Sequence, residues 1–405
     1  MPRPIGRSRI AGVIAGLSLI SPLGVDVANA EPAQKAVPAP APVDMQKRME
    51  IYRKKLAEYT KAWDAYEKVA VPYWKSVTEK RSARRAKRAH GGTVIAEDYV
   101  LTQPPVYTGP PKPKNPEEEL KPQPREIPVR EDFLANAKEH FGFTPQAPET
   151  ELAYKQAYAK VAAAAGLTKE AAVKIYGFES GGNGGYDVQA GREYDPNAPV
   201  ISTALGYNQL LTTNSVELLA EAGDAFVAVL ERAQSGASEE RKAQLRDKIA
   251  GLKKMIAFAR TMPDDWGAHD KLGRTPKGIG VHAAILDVDI GPLLQTEKLM
   301  TSVKFARRSG YTAPLTAAEL EMMNLTGDGN GFDMVQMPPE LREKVPTSNF
   351  FQRGGYERNP VAARNNTVAK LLAATDAKMV QEAQLQGAKD LAAAFDAAAQ
   401  QFAHP

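Results

Sequence analysis

Between Arg130 and Asp376 apolar residues recur at steps of three and four, while the two-residue alternation of a half-buried strand is nearly absent. A chain patterned this way buries its apolar residues by packing helix stripes against one another, so the predicted fold class is mainly α. Leu152, Tyr154, Tyr158 and Val161 open one helix that Gly166 closes. Thr168 then caps a second helix over Lys169 to Glu179. Further helices are expected over Asn214 to Ala222, Ala225 to Gln234, Glu239 to Thr261, Gly280 to Ser309 with a break near Gly291-Pro292, and Thr316 to Asn324. A strand pair fits only near Val200 to Leu211.

The flanks differ in composition. Residues 1–30 read as a secretory signal peptide: Arg3, Arg7 and Arg9 precede an apolar run from Ile10 to Val27, and Ala28-Asn29-Ala30 is a small-x-small cleavage site. This predicts a periplasmic mature chain starting at Glu31, with an inner-membrane tether as the alternative if the segment stays uncleaved. Residues 31–43 form an Ala/Pro linker. Over residues 44–92 a coiled-coil-like helix is expected, because Met45, Met49, Tyr52, Leu56, Tyr59, Trp63, Tyr66 and Ala70 follow heptad spacing. That seam suits self-association, a protein partner, or packing on its own chain. Pro72 is expected to kink or end the helix. Lys75, Lys80, Arg81, Arg84, Arg85, Lys87 and Arg88 make its end basic. In an exported chain this cluster fits an anionic envelope surface or a solvated helix end, and not nucleic acid. Residues 93–129 read as a Pro-rich second linker, 130–376 as the globular domain, and 377–405 as an Ala/Gln-rich helix. Leu391, Phe395, Ala398 and Phe402 give that last helix one stripe, which packs back on the domain or extends an interaction surface.

The absence of cysteine excludes disulfides, thiol catalysis and cysteine-based metal sites. Its five histidines show no ligand-like spacing, so no metal and no cofactor is expected. A calcium loop at Asp328 to Asn330 fails as well. Phe332 and Pro339 stand where that pattern needs oxygen ligands.

Three segments carry chemistry. In Ile175-Tyr176-Gly177-Phe178-Glu179-Ser180-Gly181-Gly182, a carboxylate sits in the last turn of a helix among apolar neighbours. The helix dipole and desolvation both raise its pKa, as a general acid near neutral pH requires. The same residues also suit a plain polar helix end capped by glycine. In Gly206-Tyr207-Asn208-Gln209, a glycine that admits close backbone approach precedes an amide suited to sugar hydroxyl or acetamido groups, or to buried backbone groups. In Met323-Asn324 followed by Gly327-Asp328-Gly329-Asn330, a helix ends in an amide that could orient substrate or the catalytic carboxyl.

In this order, Glu179-Ser180, Gly206-x-x-Gln209 and Asn324 with its glycine-rich turn resemble the soluble lytic transglycosylase catalytic domain, a member of the goose-type lysozyme superfamily. The resemblance covers residues 149 to 375 and rests on short motifs. It implies a lysozyme-like α-rich domain that cleaves peptidoglycan glycan strands between N-acetylmuramic acid and N-acetylglucosamine. Glu179 would be the single general acid and base, and the product a 1,6-anhydro sugar. Ser180, Gly206, Tyr207, Gln209 and Asn324 would line the substrate site. The chain departs from the family at Met323, where a tyrosine is expected, and in longer segments after Glu179 and from Glu217 to Tyr311. Tyr176, Tyr207, Tyr311 and Tyr356 are candidates to replace that tyrosine. Two other outcomes stay open: a non-catalytic peptidoglycan-binding or scaffold protein with a degenerate cleft, and hydrolysis with a loop carboxylate such as Glu193 or Asp195 positioning water.

Overall fold

The computed structural model describes residues 42–119 and 127–403. Residues 1–41 lie outside them, and with them the signal peptide and nearly all of the Ala/Pro linker. The described residues are helical and contain no β-strand; between Val200 and Leu211 there is only an isolated bridge of Leu205 with Leu210, and Leu205 also bridges to Gln189. No described helix is long and apolar enough to cross a membrane.

The described residues divide into two compact units, one holding residues 42–119 with 344–349, the other residues 127–343 with 350–403. In the first unit the helix α1 (Pro42–Ala89) is continuous across Pro72, so it does not end there as one expectation had it. Residues 93–119 of the Pro-rich stretch form a strap that packs back on this helix, where a spacer was expected. Tyr107 sets its ring edge-on to Tyr59, Trp63 and Tyr66, with centroids 6.0, 5.1 and 5.5 Å away. The C-terminal part of the heptad seam is therefore covered by its own chain, which explains why aromatics stand where a two-stranded coil prefers branched aliphatics. The basic cluster is also largely spent internally. Arg84 is buried, stacks 4.2 Å over Tyr99 and donates to the carbonyls of Asp98 and Asn349; Arg81 donates to Asn349 O, Lys80 to Glu97 O and Tyr99 O, and Lys87 pairs with Asp98. Asn349 clamps the strap with both ends of its amide, accepting from Val100 N at 2.9 Å and donating to Val100 O at 2.8 Å.

The second unit is built from α2 (Arg130–Phe141), α3 (Glu151–Ala164), α4 (Lys169–Ser180), α5 (Thr212–Ser235), α6 (Glu239–Ala259), α7 (Trp266–Gly273), α8 (Pro276–His282), α9 (Gly291–Arg308), α10 (Ala317–Thr326), α11 (Asp328–Val335), α12 (Val368–Glu382) and α13 (Gln386–Ala403). Phe133, Leu205, Leu219, Leu252, Ile285 and Leu294 lie at the centre of its main core. α5 is a single helix where the sequence suggested two. Gly223 lies inside it because a Cβ there would stand 2.5 Å from Ile256 Cγ1 of α6, so the glycine serves close helix packing and not a break. The last helix belongs to this unit. α13 packs on α3 and α4, its stripe residues Leu391, Phe395 and Ala398 are buried, and Gly387 N donates to Asn183 Oδ1 in the loop after Glu179.

Candidate active site

Thr168 Oγ1 accepts from Ala171 N and starts α4; Gly181 ends it in the left-handed conformation at φ 65°. Such a cap is worth about 1 kcal/mol, and the glycine meets the αL requirement without a Cβ penalty. Between these ends Ala171, Ala172, Ile175, Tyr176 and Phe178 are buried, which turns the helix so that its last turn lies inside the protein. Glu179 is 6% exposed. Gly181 also makes room for the returning loop, since a Cβ there would stand 2.8 Å from the Tyr194 ring and 3.3 Å from Glu193 Cβ.

α10 brings Asn324 and Glu321 to the same place. Thr316 and Glu319 form a capping box at its start, and residues three apart then share a face. Asn324 Nδ2 donates to Glu179 Oε1 at 3.1 Å and lies 3.5 Å from Glu321 Oε2. Glu321 is fully buried with its Oε1 unpaired among the described residues, and the Asn324 amide brings its carboxyl beside that of Glu179. Burial pushes Glu179 up to about 7, and the charge of Glu193 acts in the same direction; the hydrogen bond from Glu321, the positive charge of Lys298 on α9 and the Asn324 amide pull it down. Burial, followed by the Glu179 charge, holds Glu321 well above the usual carboxylate range. The two acids are one coupled system, and its outer member is poised to exchange a proton near neutral pH.

The Gly206 segment is placed by a different set of bonds. Gly206 has φ 79°, its N–H donates to Val188 O at 2.8 Å, and a Cβ would stand 2.1 Å from Gln295 Nε2. Glycine is required here by both backbone and space. Gln209 takes φ 44°, the one non-glycine residue with positive φ among those described. Its Nε2 donates to Gly206 O and Val188 O, while Oε1 is buried with no hydrogen-bond partner among the described residues. A strained backbone and an unpaired acceptor are costs that binding sites commonly carry. Val188 links this turn back to α4, because Val188 N donates to Gly185 O and Gly184 N to Ser180 O.

Not every residue expected at the site faces it. Tyr207 is buried, donates to Glu151 and sets its ring edge-on to Tyr154, Tyr158 and Tyr176, so it braces the core under the loop. Ser180 is buried too, and its hydroxyl donates to Tyr176 O at 2.6 Å. Neither side chain is open to substrate, because each already satisfies an interior partner. Met323 packs with Ala306, Phe332 and Val335, so the residue before Asn324 belongs to an apolar cluster. Tyr176 donates to Gly184 O, Tyr311 packs against Phe332 and Tyr356 against Phe351. Tyr194, absent from the tyrosines singled out in the sequence, is the one beside the Glu179 helix end; it is 63% exposed.

Among the loop carboxylates, Asp187 pairs with Arg130 and Asp195 accepts from Asn197 N, whereas Glu193 is the one whose charge reaches Glu179. Sequence reasoning missed Glu321 and Lys298. The only signal for Glu321 was a lone acid in the apolar run Leu320 to Met323. No group of three or more acidic or histidine side chains among the described residues is arranged to hold a metal ion. A shallow open groove of about 590 Å³ between α5 and α9, lined by Glu221, Glu297, Thr301 and Lys304 among others, contains none of the carboxyl pair. Within it Lys304 and Glu297 pair with each other at 2.5 Å.

The chain matches no protein-family model, no curated protein and no solved structure.

Proposed function

We propose that the chain is a peptidoglycan lytic transglycosylase that cleaves the β-1,4 bond between N-acetylmuramic acid and N-acetylglucosamine. The observation that carries this reading is the buried Glu179 carboxyl, pushed up to about 7 and oriented by Asn324 at the end of a helix. A protonated carboxyl there can give its hydrogen to the glycosidic oxygen as the bond breaks. The substrate's acetamido group assists departure. The Glu179 carboxylate then takes the proton of the C6 hydroxyl, which closes the anhydro ring. Both Glu193 oxygens accept from Gly191 N at 3.0 Å, a commitment that favours this route over hydrolysis with Glu193 as the base for water. Gln209, with its unpaired Oε1, is the residue assigned to the sugar's N–H or hydroxyl groups.

Export to the periplasm, with or without a residual tether, belongs to the same proposal and rests on the reading of residues 1–30. Self-association is assigned to the seam from Met45 to Leu56, the part that Tyr107 does not reach. The test is digestion of purified sacculi with mass spectrometry of the product ends. Anhydro ends are expected; reducing ends would replace this reading by hydrolysis, and binding without release by a scaffold.

A further inference from the structure

Building on the reading of Glu179 as the proton donor, we infer that Glu321 is its positioning residue: a carboxyl that keeps its own proton and donates it as a hydrogen bond to Glu179 whenever Glu179 is ionised. Glu321 lies one turn before Asn324 on α10, and the Asn324 amide is within 3.1 Å of one acid and 3.5 Å of the other. Both acids are interior, Glu321 wholly and Glu179 with 6% exposure. Two adjacent carboxylates in such a place repel strongly, so the pair retains a proton. The inner acid is the one that keeps it, because only the outer one can meet substrate or water.

The surrounding charges leave this arrangement intact. Lys298 on α9 acts on both acids from a distance, Glu193 adds negative charge from the loop, and Lys378 and Glu382 on α12 pair with each other. In the cleavage step the Glu179 proton passes to the glycosidic oxygen, which leaves with the electron pair of the broken bond. The new carboxylate is held by Glu321 O–H and Asn324 N–H. It then removes the C6 hydroxyl proton as that oxygen bonds to C1. Glu321 starts and ends protonated, so the step needs no further reactant.

Infrared titration of the full-length protein tests this without substrate. At a pH above the titration of Glu179 near 7, the protein should still show a protonated-carboxyl band, and that band should be absent from Glu321→Gln at the same pH. Its absence from the parent protein, or its persistence in the variant, would overturn the inference. On sacculi, Glu321→Gln keeps an N–H donor and should retain about tenfold more turnover than Glu321→Leu. The Leu variant should also move the alkaline limb of the pH profile upward, because the lost hydrogen bond had lowered Glu179. Equal losses with an unmoved limb would count against the positioning role; if the Leu variant does not fold, the infrared comparison decides. A protein that shows the band yet releases no glycan fragments keeps this proton arrangement and sinks the cleavage reading instead.

Discussion

Asn324 Nδ2 reaches Glu179 Oε1 at 3.1 Å across 145 residues of sequence, and this bond joins the ends of two helices into one acid site. Because the amide donates, it stabilises the ionised form of Glu179 and offsets part of the burial that keeps the proton on.

Glu179→Gln keeps the shape of the side chain and removes the proton. Turnover of sacculi should fall by about 10²- to 10⁴-fold, with glycan binding retained. In the parent protein the active form has Glu179 protonated, so activity should decline as pH rises through about 7. Undiminished release of fragments by the variant would remove Glu179 from the mechanism.

Stability should carry the same signature. Glu179 is raised from 4.5 to about 7, so between these values the folded chain holds a proton that the unfolded chain has released. Stability from this group is therefore lost as pH rises across that window, and Glu321 acts in the same sense. His282 opposes it. Burial brings His282 from 6.5 down to about 4, so its contribution is lost as pH falls. Thermal unfolding of Glu179→Gln and parent, compared pH by pH, should show the variant losing less on the way up; identical slopes would mean that Glu179 is not perturbed.

Gly206→Ala should cost about 2–4 kcal/mol, since it combines a left-handed backbone with a clash at Gln295 Nε2. Denaturant unfolding measures this directly. A loss under about 0.5 kcal/mol would show that the turn relaxes freely.

Asn349→Ala removes both bonds to Val100 and leaves its buried N–H and C=O unpaired, at a cost of about 2–3 kcal/mol. Limited proteolysis should then cut residues 96–119 faster. An unchanged cleavage pattern would mean that the Tyr107, Lys80, Arg84 and Lys87 contacts suffice to hold the strap.

Much of the fold was legible because helix periodicity and caps are local. Thr168, Gly181 and the apolar steps between them placed α4 to within a residue of its ends. The breaks read at Gly223 and Pro72 were not breaks, because a glycine also serves close packing and one proline costs a long helix only part of its hydrogen bonding. The strap and Asn349 were invisible for another reason. Their partners are distant in sequence, and proline-rich stretches look the same whether solvated or docked.

The sequence by itself determined a mainly helical chain, a glutamate in the last turn of a capped helix, and an asparagine at the end of another. Tertiary structure alone decided which acids meet. Burial, carboxyl-to-carboxyl contact and the reach of Lys298 depend on how α4, α9 and α10 pack, and no local pattern encodes the distance between side chains on different helices. For the same reason it turned Tyr207, Ser180 and Met323 inward and gathered Glu321 with Asn324 beside Glu179.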